Sequence, residues 1–276
     1  MMLHDKIVNH FKKNIKLLNK DFEQKDLEIL IRYTFNNQNY YKIENIYKDI
    51  YFTNVLKFAI RRRLLNEPIS QIIRSRKFWN STFYVDKNVL DPRPETELLV
   101  EKVLELPMRK LRLIDLGTGS GCIAISIAKE RPNFDVFASD ICNDALKIAK
   151  KNSKLCQTSI TFIKSDWFSK IDGTFDVIIA NPPYISEKEY NNLPLCIRRF
   201  EPKIALTGGS KGLDCFNKII NQFVKYLRPK GRLFLEIGST QKKNIEELFN
   251  FNGYKKIDFF TDLSGKYRVV CVKKDA

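Results

Sequence analysis

Four consecutive residues, Asn181-Pro182-Pro183-Tyr184, combine the acceptors of a binding loop with the stiffness of one. Two successive prolines fix φ and remove two backbone donors, so the segment presents carbonyl oxygens together with the Asn181 side chain. Tyr184 adds a flat face on which a planar group can stack. Such a loop suits an amide or an exocyclic amine, because each N–H of an incoming NH₂ needs an acceptor once it leaves water. The competing reading is an ordinary proline turn, and the surrounding elements decide between the two.

The stretch that leads into the loop, Phe175-Asp176-Val177-Ile178-Ile179-Ala180, is a short apolar run of the kind that forms a buried parallel strand. Open α/β sheets bind ligands outside the carboxyl ends of their strands, so Asn181 stands where chemistry is expected. Three more loops fall at equivalent places. A strand over residues 111–116 runs into Gly117-Thr118-Gly119-Ser120-Gly121 and then an apolar helix, a glycine loop in which backbone can approach a ligand near free helix N–H groups. Cys122 stands where a dinucleotide loop has its third glycine, and the lysine of a triphosphate loop is missing. A strand over residues 134–139 delivers Asp140, placed for a carboxylate that accepts from both hydroxyls of a ribose. This spacing suits a nucleoside without a pyrophosphate. A strand over residues 159–164 leads to Asp166 and Trp167, where an acid can bind an adenine amino group and an indole can pack on its ring; Trp167 as plain core is the alternative.

With 276 residues the chain exceeds a typical single domain of about 100–150, which predicts a large domain and a smaller one. A hydrophobic content of 43% excludes a disordered chain, and no run approaches the roughly 18 uncharged apolar residues of a membrane span. Residues 1–20 show neither a continuous apolar core nor a small-residue cleavage site, which predicts a cytoplasmic protein. The six cysteines (Cys122, Cys142, Cys156, Cys196, Cys215 and Cys271) form no C-x-x-C pair and are expected to be reduced. The two histidines, His4 and His10, lie far from the catalytic half, so neither Ser-His-Asp chemistry nor a metal site is expected. The net charge of +16 favours an anionic partner and predicts weak nucleic-acid contact; solvated lysine in a chain rich in Lys, Asn and Ile is the alternative.

These loops need elements to hold them. Residues 3–65 read as helical, with Ile7, Phe11, Ile15 and Leu18, then Leu27, Ile31 and Phe35, at three- and four-residue spacing. Thr53 or Asn54 is expected to cap a helix over 55–65 that carries Arg61-Arg62-Arg63. Residues 66–92 switch to alternation at Phe78, Phe83, Val85 and Val89, with Pro68 at the entry, and read as a linker hairpin. Arg93, between two prolines, is held more rigidly than helix capping requires, which points to a ligand. Beyond the loops come a helix over 213–227, a strand over 231–237, a helix over 240–251 closed by Asn252-Gly253, and an antiparallel hairpin of 255–260 and 267–273 turning at Ser264-Gly265.

The succession of glycine loop, ribose acid, adenine pocket and Asn-Pro-Pro-Tyr resembles a class I S-adenosylmethionine-dependent methyltransferase. Within that superfamily Asn-Pro-Pro-Tyr is shared by enzymes that methylate amino or amide nitrogen on DNA, RNA or protein. Arg93-Pro94-Glu95-Thr96-Glu97, and Glu201 to Gly209 followed by Gly212-Leu213, are similar to the hallmark segments of the HemK/PrmC family of glutamine N5-methyltransferases. The likeness runs from about Glu67 to the end and takes in residues 231–238 and 262–270. One departure is clear: where the family usually shows Gly-x-Pro and then Tyr-Ile-x-Gly, this chain has Asn66-Glu67-Pro68, Gln71 and Arg74.

The resemblance implies an α/β fold, a doubly wound, mostly parallel seven-stranded sheet with an antiparallel last strand behind a small helical domain. The domains it implies are a helical substrate-recognition domain over 1–65, the hairpin over 66–92 and a catalytic domain over 93–276. It implies S-adenosylmethionine as cofactor, held by Gly117, Thr118, Gly119, Ser120, Gly121, Asp140, Trp167 and Asn181. The substrate implied is the glutamine of a Gly-Gly-Gln loop in a peptide chain release factor. Asn181, Pro182, Pro183 and Tyr184 would bind it, and Asn181, Pro182 and Tyr184 would be catalytic. A ribosomal-protein glutamine methyltransferase and a nucleic-acid amino-methyltransferase are the rival enzymes, and a non-catalytic cofactor- or RNA-binding module is the rival of another class.

Overall fold

A computed structural model describes residues 24–36 and 50–275, which fall into two compact units, 1–74 and 75–276. The first contains α1 (Gln24–Asn36), α2 (Ile50–Leu64) and α3 (Ile69–Ile73). Leu27, Leu30 and Ile31 of α1 pack with Leu56, Ala59 and Ile60 of α2 and with Ile72, the one-sided spacing of amphipathic helices. Ile7, Phe11, Ile15, Leu18 and the Phe35 side chain lie outside the described residues. Helix α2 begins at Ile50, so the expected cap at Thr53 or Asn54 is corrected: both lie inside the helix, where no non-helical capping backbone is available. The basic run is partly spent within this unit, since Arg63 Nε donates to Asp26 at 2.7 Å and Arg62 forks onto Glu67.

Two of the residues that depart from the family pattern adopt left-handed backbone. Asn66 and Arg74 both have positive φ, +64° and +55°, at the ends of α2 and α3. These are the two positions where glycine is usual, and left-handed backbone costs a residue with Cβ about 1 kcal/mol or more.

The second unit opens with an antiparallel hairpin, β1 (Arg76–Phe78) and β2 (Ser81–Phe83). Phe78 and Phe83 are fully buried, edge to face at 6.1 Å, in the core built by α4 (Glu97–Leu104) and α5 (Cys122–Glu130). The Trp79 backbone N–H donates to Glu97 and its indole N–H to Glu130. The hairpin thus packs within the second unit, which begins at Ser75.

The main sheet comprises β3 (Arg112–Leu116), β4 (Asp135–Asp140), β5 (Thr161–Lys164), β6 (Phe175–Ala180), β7 (Leu227–Glu236), β8 (Ile257–Thr261) and β9 (Tyr267–Lys273), in the spatial order β5-β4-β3-β6-β7-β9-β8. β3 to β7 are parallel and β9 runs antiparallel to both its neighbours, as expected. Between them come α6 (Asn143–Leu155), α7 (Glu187–Asn191), α8 (Leu195–Phe200), α9 (Asp214–Ile220), α10 (Phe223–Tyr226) and, after β7, α11 (Lys242–Phe251).

Alternation puts the two faces of the sheet to different use. Leu113, Val177, Ile179 and Phe234 face the core shared with α4 and α5, whereas Ile114, Leu116, Ile178, Leu233 and Leu235 face the core shared with α9 and α11. Strand order reverses between β3 and β6, the topological switch point at which such sheets open a crevice. The single helix expected over 213–227 is interrupted: Gln222 steps out of helical backbone and Leu227 joins β7 opposite Phe175. Gly253 and Gly265, with φ of +85° and +77°, close α11 and the β8–β9 turn as expected. Among the described residues no helix is long and apolar enough to cross a membrane.

Because the hairpin belongs to the core, Phe83→Ala is expected to destabilise the second unit by about 3–5 kcal/mol in denaturant unfolding, where a linker residue would cost under about 0.5 kcal/mol.

Candidate active site

The loops leaving β3, β4, β5 and β6 converge on a cavity of about 240 Å³ lined by Gly117, Gly119, Asp140, Asp166, Trp167, Asn181 and Pro183. Residues 88–90 line it as well. That segment is anchored by Val85 and Val89, packed on Ala145 and Ile148 of α6. It is also pinned by Asn152, fully buried, whose amide bridges both backbone groups of Tyr84 and the Ser120 carbonyl at 2.7–2.9 Å.

Asp140 accepts one backbone N–H on each oxygen, from Gly119 and from Cys142, both at 2.9 Å. Burial raises its carboxyl above the ordinary range, and the N–H groups of Cys142, Gly119 and Ile141 oppose that rise. Each oxygen keeps a second lone pair for a hydroxyl donor. Gly117 has φ +72°, and a Cβ there would stand 3.6 Å from the Trp167 ring, so glycine leaves that indole edge uncovered. A half-buried acceptor pair beside an aromatic wall fits an adenosine.

Thr118, Ser120 and Gly121 do not line the cavity. Thr118, 4% exposed, donates to Asp115 at 2.6 Å; the Ser120 carbonyl holds Asn152; Gly121 packs against Ile125 and Ala149. They shape the loop from behind, because successive residues of so tight a turn face alternately outward and into the protein body. Asp115 is itself fully buried, and desolvation pushes its carboxyl up to about 7 against the Thr118 hydrogen bond.

A second cavity, of about 160 Å³, lies across Asn181 and Pro183, which line both. Pro182, Tyr184, Arg93, Leu206 and Glu236 also line it. Asn181 Nδ2 donates to Thr96 Oγ1 at 3.2 Å. Among the described residues nothing donates to Asn181 Oδ1 or to the Pro182 carbonyl. The Tyr184 hydroxyl stands 3.5 Å from Glu236 Oε1, and burial raises the phenol pKa. Glu236, 2% exposed, is pushed up to about 7 by desolvation. Arg93, in the lining of this cavity, is also held by ion pairs: Nη2 reaches both oxygens of the buried Glu201 at 2.6 and 2.7 Å, and Nη1 stands 3.7 Å from Asp91.

Two glycines explain how the stiff loop is seated. A Cβ on Gly208 would overlap the Pro183 carbonyl oxygen, and one on Gly212 the Tyr184 carbonyl oxygen. Gln241 Nε2 bonds the Tyr184 and Gly212 carbonyls at 3.0 and 3.2 Å, and Ile185 exchanges backbone bonds with Leu206 and Gly208. The Thr207-Gly208-Gly209 and Gly212 segment is therefore the bed of the Asn-Pro-Pro-Tyr loop.

A model of the methyltransferase small domain matches residues 87–196, which holds the glycine loop, Asp140, Trp167 and Asn181–Tyr184. A release factor glutamine methyltransferase of Buchnera aphidicola subsp. Baizongia pistaciae is 36% identical over 255 residues, covering 90% of this chain and 91% of its own. The chain belongs to the release factor glutamine methyltransferase family. Another member, from Thermodesulfovibrio yellowstonii, is 40% identical over 229 residues, covering 80% of this chain and 81% of its own. Among solved structures, a methyltransferase from Pyrococcus furiosus shares the fold at TM-score 0.56 and 18% identity, over 80% of this chain and all of that one.

Family membership accounts for segments whose partners are far apart in sequence. The hallmark Arg93 and Glu201 are ion-pair partners, and the hallmark glycines touch the Asn-Pro-Pro-Tyr backbone. Sequence reasoning missed Thr96 as a partner of Asn181, and missed Asn152, Gln241 and Glu236. Only Glu236 left a signal, as an acid closing the apolar strand segment Leu233-Phe234-Leu235.

Gly212→Ala is expected to displace the Tyr184 backbone and lower turnover by about 100-fold, the effect of a misplacement near 1 Å, with cofactor affinity unchanged in calorimetry. A second expectation concerns pH. Asp115 and Glu236 have folded pKa values near 7, raised by burial, so their contribution to stability is full at low pH and is lost as pH rises through 7. Melting temperature should therefore fall from about pH 4.5 to 7 and level off above it, and Glu236→Gln should flatten part of that fall.

Proposed function

We propose that this chain transfers the methyl group of S-adenosylmethionine to the side-chain amide nitrogen of the glutamine in the Gly-Gly-Gln loop of a peptide chain release factor. The observation that carries this reading is the pair of uncommitted acceptors, Asn181 Oδ1 and the Pro182 carbonyl, on a loop shared by two adjoining cavities.

Asp140 would hold the ribose hydroxyls and Trp167 would flank the adenine, with Gly117 and Gly119 giving backbone access. Thr118, Ser120 and Gly121 would support that loop without touching the ligand. Bound there, S-adenosylmethionine supplies an electrophilic methyl on a sulfonium, whose C–S electron pair departs with sulfur. An amide nitrogen is a poor nucleophile because its lone pair is delocalised, so the chain's task is positioning. Asn181 Oδ1 and the Pro182 carbonyl accept the two N–H bonds, Tyr184 keeps the amide plane in place, and the lone pair is left directed at the methyl. Holding reactants in line can lower a barrier by about 7–11 kcal/mol in the best-oriented systems. Nitrogen forms the new C–N bond as the methyl leaves sulfur, and the cationic N-methyl amide loses its proton to water, which asks for no histidine.

The helical N-terminal unit is the proposed recognition module, the cytoplasm the proposed location, and weak nucleic-acid contact the proposed use of the surplus lysines. The relatives' names and the unpaired acceptors support the protein substrate.

The test uses purified protein, methyl-labelled cofactor, a release factor, the same factor with its Gly-Gly-Gln glutamine changed to alanine, and bulk RNA and DNA. Label on the unaltered factor alone is expected; label on nucleic acid would overturn the substrate. Asn181→Ala should abolish transfer with cofactor binding spared, and Asp140→Ala should weaken cofactor binding about 10- to 100-fold, the worth of one or two hydrogen bonds to a charged group; calorimetry showing the reverse pattern would overturn the roles.

A further inference from the structure

We propose that the Glu236 carboxylate stabilises the positive charge that methyl transfer carries into the substrate cavity, and so acts on the rate of transfer and not on substrate binding. The inference rests on the glutamine reading above and deepens it.

Strand register sets Glu236 beside the reacting loop. Ala180 pairs with Leu235, so the next residue of each strand, Asn181 and Glu236, stand side by side at the carboxyl edge of the sheet, where neighbouring strands are about 4.8 Å apart. Ala180 and Leu235 both face the core shared with α9 and α11, and alternation turns their successors to the other face. The contacts agree. Asn181 meets Thr96 just before α4, and Val269, the partner of Glu236 on β9, lies in the core shared with α4 and α5.

Among the described residues Glu236 is the one acid that lines the substrate cavity. It is 2% exposed, its Oε2 is buried without a hydrogen-bond partner, and the Tyr184 hydroxyl stands 3.5 Å from Oε1, the limit of bonding distance. Two cations on this side are committed elsewhere, Arg93 to Glu201 and Arg268 to Asp262. A buried carboxylate so short of donors is a cost to stability, and the reaction gives it a use.

The amide nitrogen forms its C–N bond as the C–S bond breaks, with the C–S electron pair staying on sulfur. Positive charge thus leaves the cofactor cavity and arrives on nitrogen in the substrate cavity, where it stays until the proton is lost to water. An acid fixed near the point of arrival and shielded from water lowers the barrier, because it attracts charge on nitrogen more strongly than charge farther off on sulfur. Asn181 Oδ1 and the Pro182 carbonyl are neutral and cannot supply this term. Glu236 must be ionised to do so. Burial lifts its pKa to about 7; Arg268 from β9 favours the ionised form and Glu95 from the turn before α4 opposes it. Tyr184 of the substrate loop and Cys122 of α5, which also face it, have pKa values raised by burial.

The test compares wild type, Glu236→Gln and Glu236→Asp in steady-state methylation of a release factor. Calorimetry in the presence of S-adenosylhomocysteine adds two peptides, one with Gly-Gly-Gln and one whose glutamine side chain ends in an amidine, a cation with the shape of the amide. Glu236→Gln keeps the shape and loses the charge. It is expected to lower kcat about 100-fold, as removal of one group aimed at developing charge does, with KM and cofactor affinity within about twofold. Glu236→Asp, which restores the charge, should recover part of that loss. Wild-type kcat should fall as pH drops through about 7, and Glu236→Gln should lack that step. Wild type should favour the amidine peptide over the amide about 10-fold more at about pH 8.5 than at about pH 5.5, the low end of what a neighbouring opposite charge is worth. That readout needs neither turnover nor a folded variant. A Glu236→Gln kcat within twofold of wild type, a pH step that survives in that variant, or an amidine preference that does not change with pH would each overturn the inference. Wild type that leaves the release factor glutamine unlabelled would instead overturn the glutamine reading, and this inference with it.

Discussion

The central constraint is that the loop which must be most accurately placed has the fewest means of placing itself. Pro182 and Pro183 have no N–H, so half of the backbone donors that would tie an ordinary four-residue loop to its surroundings are absent. Its position comes from outside. Gly208 and Gly212 allow backbone to lie against backbone, Gln241 holds the Tyr184 carbonyl, and Thr96 holds the Asn181 side chain. What the prolines give in return is a pair of acceptors that no donor among the described residues uses. A loop rich in N–H groups would satisfy its own carbonyls and present fewer to a substrate.

The sheet places this loop where a cofactor and a substrate can meet. Strands β3 and β6 are neighbours on either side of the order reversal, so the glycine loop and Asn181 leave the sheet side by side. The cofactor-side cavity gathers groups from β3, β4, β5 and β6, and the substrate-side cavity gathers Arg93, Leu206 and Glu236 around the same Asn181 and Pro183. The Arg93–Glu201 pair latches the segment before α4 to the segment after α8 at the rim of that second cavity. Arg is suited to this because its planar fork can meet both carboxylate oxygens at once.

Much of this was legible in the chain because parallel strands leave continuous apolar runs, and each run ends in a loop at the carboxyl edge of the sheet. Phe175 to Ala180 leading to Asn181, and residues 134–139 leading to Asp140, are visible without any knowledge of packing. Direction within a loop was not legible: Thr118 and Ser120 flank cavity-lining Gly119 yet point inward, since nothing in local spacing says which side of a tight turn is protein. Pairings across long separations were also hidden. Thr96 with Asn181, Arg93 with Glu201 and Asn152 with Tyr84 depend on the order of strands in space, and each residue alone reads as a cap, a rigid turn or a helix surface. The left-handed turns at Asn66 and Arg74 show the converse, a backbone path that the residue types do not advertise.

The most direct measurement is a crystal structure of the protein with S-adenosylhomocysteine and a short peptide containing Gly-Gly-Gln. The glutamine side-chain nitrogen is expected at hydrogen-bond distance, about 2.6–3.2 Å, from both Asn181 Oδ1 and the Pro182 carbonyl, with the nitrogen facing the sulfur. A glutamine seated with its carbonyl oxygen toward Asn181, or a peptide bound away from the Asn-Pro-Pro-Tyr loop, would contradict the proposed role of the two acceptors.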